Sequence, residues 1–213
     1  MKIGGIQKSS LIDYPEHISA VIFTVGCNMN CFYCHNKRLL RAFDPEELIL
    51  EEEVLKFLKK RQGLLDGVVI SGGEPTLYSD LPDFIQKVKQ LGYDVKLDTN
   101  GANPDMIKKV IDKIDFIAMD IKAPFERYEE FCGVRDMPER IKKSIEIIVS
   151  SGKPYQFRTT MAPAVIVATD WPAMTTAPTC PRLWAIPRCI CATTRVSTPP
   201  PTEPSCQPCW NLW

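Results

Sequence analysis

Three cysteines, Cys27, Cys31 and Cys34, stand in the stretch CNMNCFYCHN at the spacing C-x3-C-x2-C. Thiolates are soft donors that suit zinc, copper(I) and iron–sulfur clusters. A structural zinc ion takes four ligands, usually from two separated pairs. Here three thiols crowd one short loop, and His35 follows Cys34 directly, a poor placement for two ligands of one tetrahedral ion. Three thiols on one loop can instead hold three irons of a [4Fe-4S] cube and leave the fourth iron open. An open coordination position is what a catalytic metal site keeps and a structural one lacks. A zinc-binding interaction module without catalysis is the alternative from a different class.

Three further clusters carry chemistry: SGGEPT (71–76), LDTNG (97–101) and MDIK (119–122). Gly72 and Gly73 would let backbone approach a ligand closely. Glu74 could meet a cationic group, Asp98 and Asp120 could accept hydrogen bonds, and Lys122 fits a carboxylate. Asp98 ahead of Asn100 and Gly101 also reads as plain turn chemistry. With two histidines and no nucleophile motif, the chain offers little for acid–base or covalent catalysis.

The elements that must position these clusters follow from periodicity. Strands are expected at 19–25, 66–73, 93–99, 115–123 and 154–160, and helices at 51–61, 80–92, 103–114 and 137–152. Such alternation argues for an α/β fold with a parallel sheet, and a parallel barrel carries its working residues just after its strands. The cysteines, SGGEPT, LDTNG and MDIK all fall there, so one rim gathers them. Acidic and basic residues balance at 26 each, which gives no global field toward nucleic acid or anionic membrane. No stretch approaches the roughly 20 apolar residues of a membrane span, and the expectation is a cytoplasmic protein, where clustered cysteines serve metals more often than disulfides.

The C-x3-C-x2-C loop with aromatic Tyr33 before its third cysteine resembles the signature of the radical S-adenosylmethionine (SAM) enzymes. KSSLIDYP (8–15), GCNMNCFYCHN (26–36), LLDGVVISGGEPTL (64–77), KLDTNG (96–101), AMDIKAP (118–124) and FRTT (157–160) resemble most the activating proteins of anaerobic ribonucleoside-triphosphate reductase, over residues 1–161. The resemblance implies a partial (β/α) barrel, a [4Fe-4S] cluster on Cys27, Cys31 and Cys34, and SAM. It implies that Gly72, Gly73 and Glu74 meet the methionine amino group and that Tyr33 and His35 flank the adenine. Asp98, Thr99, Asn100, Asp120 and Lys122 fall in its SAM-contacting segments, with a small monovalent cation shared by Asp98, Thr99 and Asp120. It further implies one-electron cleavage of SAM to a 5′-deoxyadenosyl radical that takes hydrogen from a glycine of the reductase, with flavodoxin or ferredoxin as electron donor. Another glycyl-radical activator, or an enzyme resembling 7-carboxy-7-deazaguanine synthase, shares the cysteines and the glycine motif.

The character of the chain changes at about residue 162. Residues 162–213 hold ten of 18 prolines, all four tryptophans and five of nine cysteines, but no lysine. A shifted reading frame is the favoured account, which would truncate the barrel after about five strands and leave the last strand as an uncovered edge. A disordered tail, or a second metal site on Cys189, Cys191, Cys206 and Cys209, are the alternatives. His17 and Cys132 carry no assignment.

Overall fold

The computed structural model describes residues 1–40, 44–160 and 193–196. One sheet holds seven strands in sequential order: β1 (Ile3–Ser10), β2 (Ser19–Thr24), β3 (Gly67–Gly72), β4 (Asp94–Thr99), β5 (Phe116–Asp120), β6 (Tyr155–Arg158) and β7 (Thr193–Val196). The β2 to β6 pairings are all parallel, while β1 and β7 close the two edges antiparallel. Between them run α1 (Glu51–Lys60), α2 (Leu81–Gln90), α3 (Pro104–Val110), α4 (Tyr128–Cys132) and α5 (Met137–Ser150).

The helices form where the sequence signals them. α1 opens on Glu51, Glu52 and Glu53 and ends on Lys59 and Lys60, matching the helix dipole. α3 starts on Pro104 with the Asn103 side chain accepting from the Met106 amide at 3.3 Å. Alternation along each strand then divides the core in two. Ile22, Ile70, Leu97 and Ile117 pack on the helix side with Leu58, Ile85, Ile107 and Ile145. Their neighbours Val21, Val69, Phe116 and Ala118 make a smaller cluster on the opposite face with Tyr14. Sequential parallel strands with their helices on one face form the arc of a partial barrel, and the second face is its concave interior.

The segment between β1 and β2 plugs the lower end of that interior. Tyr14 is buried, stacks on His17 at 4.1 Å, and fills the space that a Cβ on Gly67 would need. Lys96 Nζ donates to the Asp13 carbonyl from the barrel side at 2.5 Å.

All five expected strands and all four expected helices are present, with ends trimmed by a few residues. Two strands are additional. β1 carries a Gly-Gly pair and two register irregularities, which weaken its alternating pattern. β7 corrects the expected uncovered edge, since Tyr155 pairs with Val196 and Arg158 with Thr193. The TTRV stretch is proline-free and β-branched within a proline-dense tail, which permits a strand there. The shifted frame, the disordered tail and the second metal site concern residues that otherwise lie outside those described.

Candidate functional site

The upper ends of β2 to β6 meet over a cavity of about 240 Å³. All thirteen sequence-predicted site residues line it: Cys27, Cys31, Tyr33, Cys34, His35, Gly72, Gly73, Glu74, Asp98, Thr99, Asn100, Asp120 and Lys122. They arrive from four strand ends because parallel strands deliver their following loops to one rim.

The cysteine loop springs from β2. Cys27, Cys31 and Cys34 carry free thiols. Among the described residues no group of three or more His, Cys, Asp or Glu side chains is gathered for a single metal ion. The three thiols border a shared cavity, which suits a cluster that presents separate iron corners. Cys27 Sγ receives the Met29 amide at 3.4 Å and Asn100 Nδ2 at 3.5 Å, the kind of donors that stabilise cluster thiolates. Burial still pushes the Cys27 thiol up to about 11, against the Met29 amide. The Cys132 thiol lowers the Cys31 sulfur by hydrogen-bonding to it and is itself raised by that contact.

The glycine pair serves packing first. Gly72 has φ +116°, and a Cβ there would lie 2.3 Å from the Thr24 nitrogen. A Cβ on Gly73 would lie 1.9 Å from the Gly26 carbonyl oxygen. The Gly73 amide bonds the Thr24 carbonyl at 2.9 Å and the Glu74 amide bonds that of Gly26 at 2.8 Å. Only glycine lets the end of β3 dock on the root of the cysteine loop this tightly.

Glu74 is fully buried. Its Oε1 accepts from the Thr76 amide at 3.1 Å, Thr76 Oγ1 at 2.5 Å and Thr99 Oγ1 at 2.7 Å, and its Oε2 from the Asn100 amide at 2.6 Å. Burial raises its carboxyl while these donors oppose the shift. Glu74 is thus the strut that fixes residues 99 and 100. Asn100 in turn reaches Asn28 Oδ1 at 2.8 Å, tying the strut to the cysteine loop. Tyr33 makes a second tie, its hydroxyl donating to the Lys122 carbonyl at 2.5 Å and its ring set edge-on to Phe32.

The concave face adds a ladder of charges. Lys96 Nζ lies 2.9 Å from Asp98 Oδ1. Ser71 Oγ donates to Asp98 Oδ2 at 3.1 Å, and Arg158 Nη1 does so at 3.3 Å. Arg158 Nε donates to Asp120 Oδ1 at 2.7 Å, and Lys122 Nζ to Asp120 Oδ2 at 2.9 Å. Burial pushes the Asp120 carboxyl up, but Lys122 and Arg158 outweigh it and hold it below the usual range. Burial likewise opposes the charge of Lys122, which Asp120 more than restores. Ser71 and Arg158 were not singled out by sequence. Both sit at strand ends on the parity of Asp98 and Asp120, and that parity was the available signal. His17 lies away from the cavity, its Nδ1 at 2.7 Å from the Pro15 carbonyl and its Nε2 at 3.2 Å from Asp94.

The profile of the radical SAM superfamily matches residues 21–176. A provisionally named glycyl-radical enzyme activating enzyme of Methanocaldococcus jannaschii is 38% identical over 179 residues, covering 79% of this chain and 71% of that one. The pyruvate formate-lyase-activating enzyme of Clostridium pasteurianum is 32% identical over 127 residues, 57% of this chain and about half (52%) of its own length. Among solved structures, Streptococcus suis SuiB bound to S-adenosylmethionine superposes with a TM-score of 0.53 at 21% identity, over 65% of this chain and 33% of that one, a likeness of fold. Thiols free around a shared cavity, with donors aimed at Cys27, fit the [4Fe-4S] cluster and SAM that this superfamily uses. The chain belongs to the radical SAM superfamily and, within it, to the glycyl-radical enzyme activating enzymes.

Proposed function

We propose that this chain activates a glycyl-radical enzyme, and that its target is anaerobic ribonucleoside-triphosphate reductase. The carrying observation is the single cavity on which the three thiols and the Asp98–Arg158–Asp120–Lys122 ladder converge. On this reading Cys27, Cys31 and Cys34 hold the cluster. Asp98, Asp120 and Lys122 present paired charges to the amino, carboxylate and ribose groups of SAM, with Gly72 and Gly73 allowing backbone close to the ligand. Tyr33 and His35 border the adenine side, and Asp98, Thr99 and Asp120 are where a small monovalent cation would sit. When bound, the cluster and SAM together supply a one-electron cleavage that yields a hydrogen-abstracting radical, chemistry that belongs to the cofactors.

The protein's own work is then positioning and exclusion of water. Glu74, saturated by four donors, fixes residues 99 and 100. The ion-paired ladder is set before any ligand arrives, so its charges need little reorganisation on binding. Among the described residues no helix is long and apolar enough to cross a membrane. A cytoplasmic location, with flavodoxin or ferredoxin as the electron source, completes the reading.

The test is anaerobic incubation of the reconstituted chain with SAM, a reductant and the purified reductase. Electron paramagnetic resonance should show a glycyl radical on the reductase. A radical formed only on another glycyl-radical enzyme would overturn the choice of target, and SAM cleavage with no protein radical on any candidate would overturn activation itself.

A further inference from the structure

The segment KSSLIDYP (8–15) closes the barrel floor, and it also reaches the site through one residue. Ser10 folds it: its Oγ receives the Ile12 and Asp13 amides, each at 3.2 Å, and donates to Asp13 Oδ2 at 2.5 Å. The turn sends Tyr14 into the floor, its ring tilted against Phe116 at 5.9 Å, and presents the Asp13 carbonyl to Lys96. Lys96 is only 2% exposed and stands on β4 two positions before Asp98, hence on the same face of the sheet. Its Nζ donates to that carbonyl at 2.5 Å, lies 5.9 Å from the centre of the Phe116 ring, and is 2.9 Å from Asp98 Oδ1. Asp98 lines the cavity, whereas Lys96 and Asp13 do not. The two oxygens of Asp98 are held differently. Oδ2 accepts from Ser71 and Arg158, both of which line the cavity. Oδ1 is buried, and among the described residues no hydrogen-bond donor is aligned on it, so the Lys96 charge is what holds it.

We propose that Lys96 is a positioning residue for SAM: anchored on the Asp13 carbonyl, it holds Asp98 Oδ1 to the barrel floor and so aims the rest of the carboxylate at the ligand. The inference rests on the reading that Asp98 contacts SAM. The last torsion of an aspartate is broad, so its rotamer alone does not set the plane of the carboxylate. The lysine stem is flexible too, but burial, the Asp13 carbonyl and the Phe116 ring leave it one place to go. Remove the ammonium, and Oδ1 becomes a buried charged oxygen with neither donor nor countercharge. The carboxylate then turns, and its alignment toward the cavity is lost. Desolvation of a buried ammonium cancels much of what its pairing gains, so the larger effect of Lys96 is on geometry and not on the stability of the fold. This gives KSSLIDYP a part in ligand binding without a contact of its own.

The test is a double-mutant cycle on the full chain, reconstituted anaerobically and kept without reductant so that SAM is bound and not cleaved. Equilibrium dialysis gives the SAM affinity per loaded cluster for wild type, Lys96→Met, Asp98→Ala and the double variant. Lys96→Met should bind SAM about tenfold more weakly, the effect of about one lost charge-assisted bond. On the Asp98→Ala background the same substitution should cost less than about twofold, because the group it positions is gone. A merely structural lysine would weaken binding equally on both backgrounds. Should Lys96→Met fail to fold by circular dichroism, Lys96→Gln, which keeps a polar group toward the Asp13 carbonyl, takes its place with the same expected outcomes. Unchanged affinity in the lysine variant, or equal losses on both backgrounds, would overturn the positioning role and leave the Asp98 contact standing. Unchanged affinity in Asp98→Ala would overturn that contact and the role of Lys96 with it.

Discussion

Replacing Arg158 by methionine tests whether the charge ladder is a structural unit. Methionine keeps much of the aliphatic stem and removes the guanidinium. The change deletes a 2.7 Å bond to Asp120 and a 3.3 Å bond to Asp98, but each carboxylate retains a lysine, Lys122 and Lys96 respectively. A hydrogen bond to a charged group contributes about 1.5–3 kcal/mol, and the longer of these two counts for less. Arg158 and Asp120 are each 26% exposed, so solvent screens part of the gain. The net loss should be about 2 kcal/mol at neutral pH. With a urea dependence of about 2 kcal/mol/M, the unfolding midpoint should fall by about 1 M. The pH dependence has a definite sign. In the wild type Lys122 and Arg158 hold Asp120 below its usual range, so the stability it contributes is full above the unfolded carboxyl pKa of about 3.9 and is lost as pH falls through the folded one. Without Arg158 the Asp120 pKa rises, so the gap between the two proteins should be widest at neutral pH and narrow below about pH 4. Urea titrations of the full chain followed by far-ultraviolet circular dichroism read both quantities. An unmoved midpoint, or a gap that widens in acid, would refute the ladder as argued.

Three other outcomes are expected. Cys27→Ala, Cys31→Ala and Cys34→Ala should each prevent loading of about four irons in anaerobic reconstitution, whereas Cys132→Ala should load normally; iron and sulfide assays distinguish these. Asp98→Ala and Asp120→Ala should bind SAM about tenfold to a hundredfold more weakly, as loss of one charge-assisted bond implies, while iron content stays near normal; equilibrium dialysis with reconstituted protein measures it. Gly73→Ala should lower both the thermal midpoint and cluster loading even without SAM, because the added Cβ meets the Gly26 carbonyl at 1.9 Å; a variant as stable as wild type would show that the root of the cysteine loop yields easily.

Much of this arrangement was legible because the chemistry is local in sequence. C-x3-C-x2-C, SGGEPT, LDTNG and MDIK each sit on one loop, and a parallel strand order carries them to one rim without further instruction. What stayed hidden depends on pairs far apart in the chain. Glu74 looked like a ligand contact, but Thr99 and Asn100, about 25 residues on, turn its carboxylate into an internal strut. Arg158 stands in FRTT without a role of its own in the sequence, and it gains meaning only when β6 lies beside β5 and places it against Asp120. Cys132 was unassigned because nothing near it in sequence says that α4 docks on Asn30 and Phe32.

These same long-range contacts explain why the site can be preset without its ligands. Backbone turns alone would leave four independent loops at the barrel mouth, each free to move. Glu74 couples the β3 loop to the β4 loop, Asn100 couples that to the cysteine loop, and Tyr33 couples the cysteine loop to Lys122. Arg158 then joins β4 to β6 across β5 through two carboxylates. The order in which substitutions should matter follows. Residues such as Glu74 that join two loops affect both cluster loading and SAM affinity, whereas Lys122, whose ammonium pairs with nearby Asp120 among the described residues, affects SAM affinity more than fold.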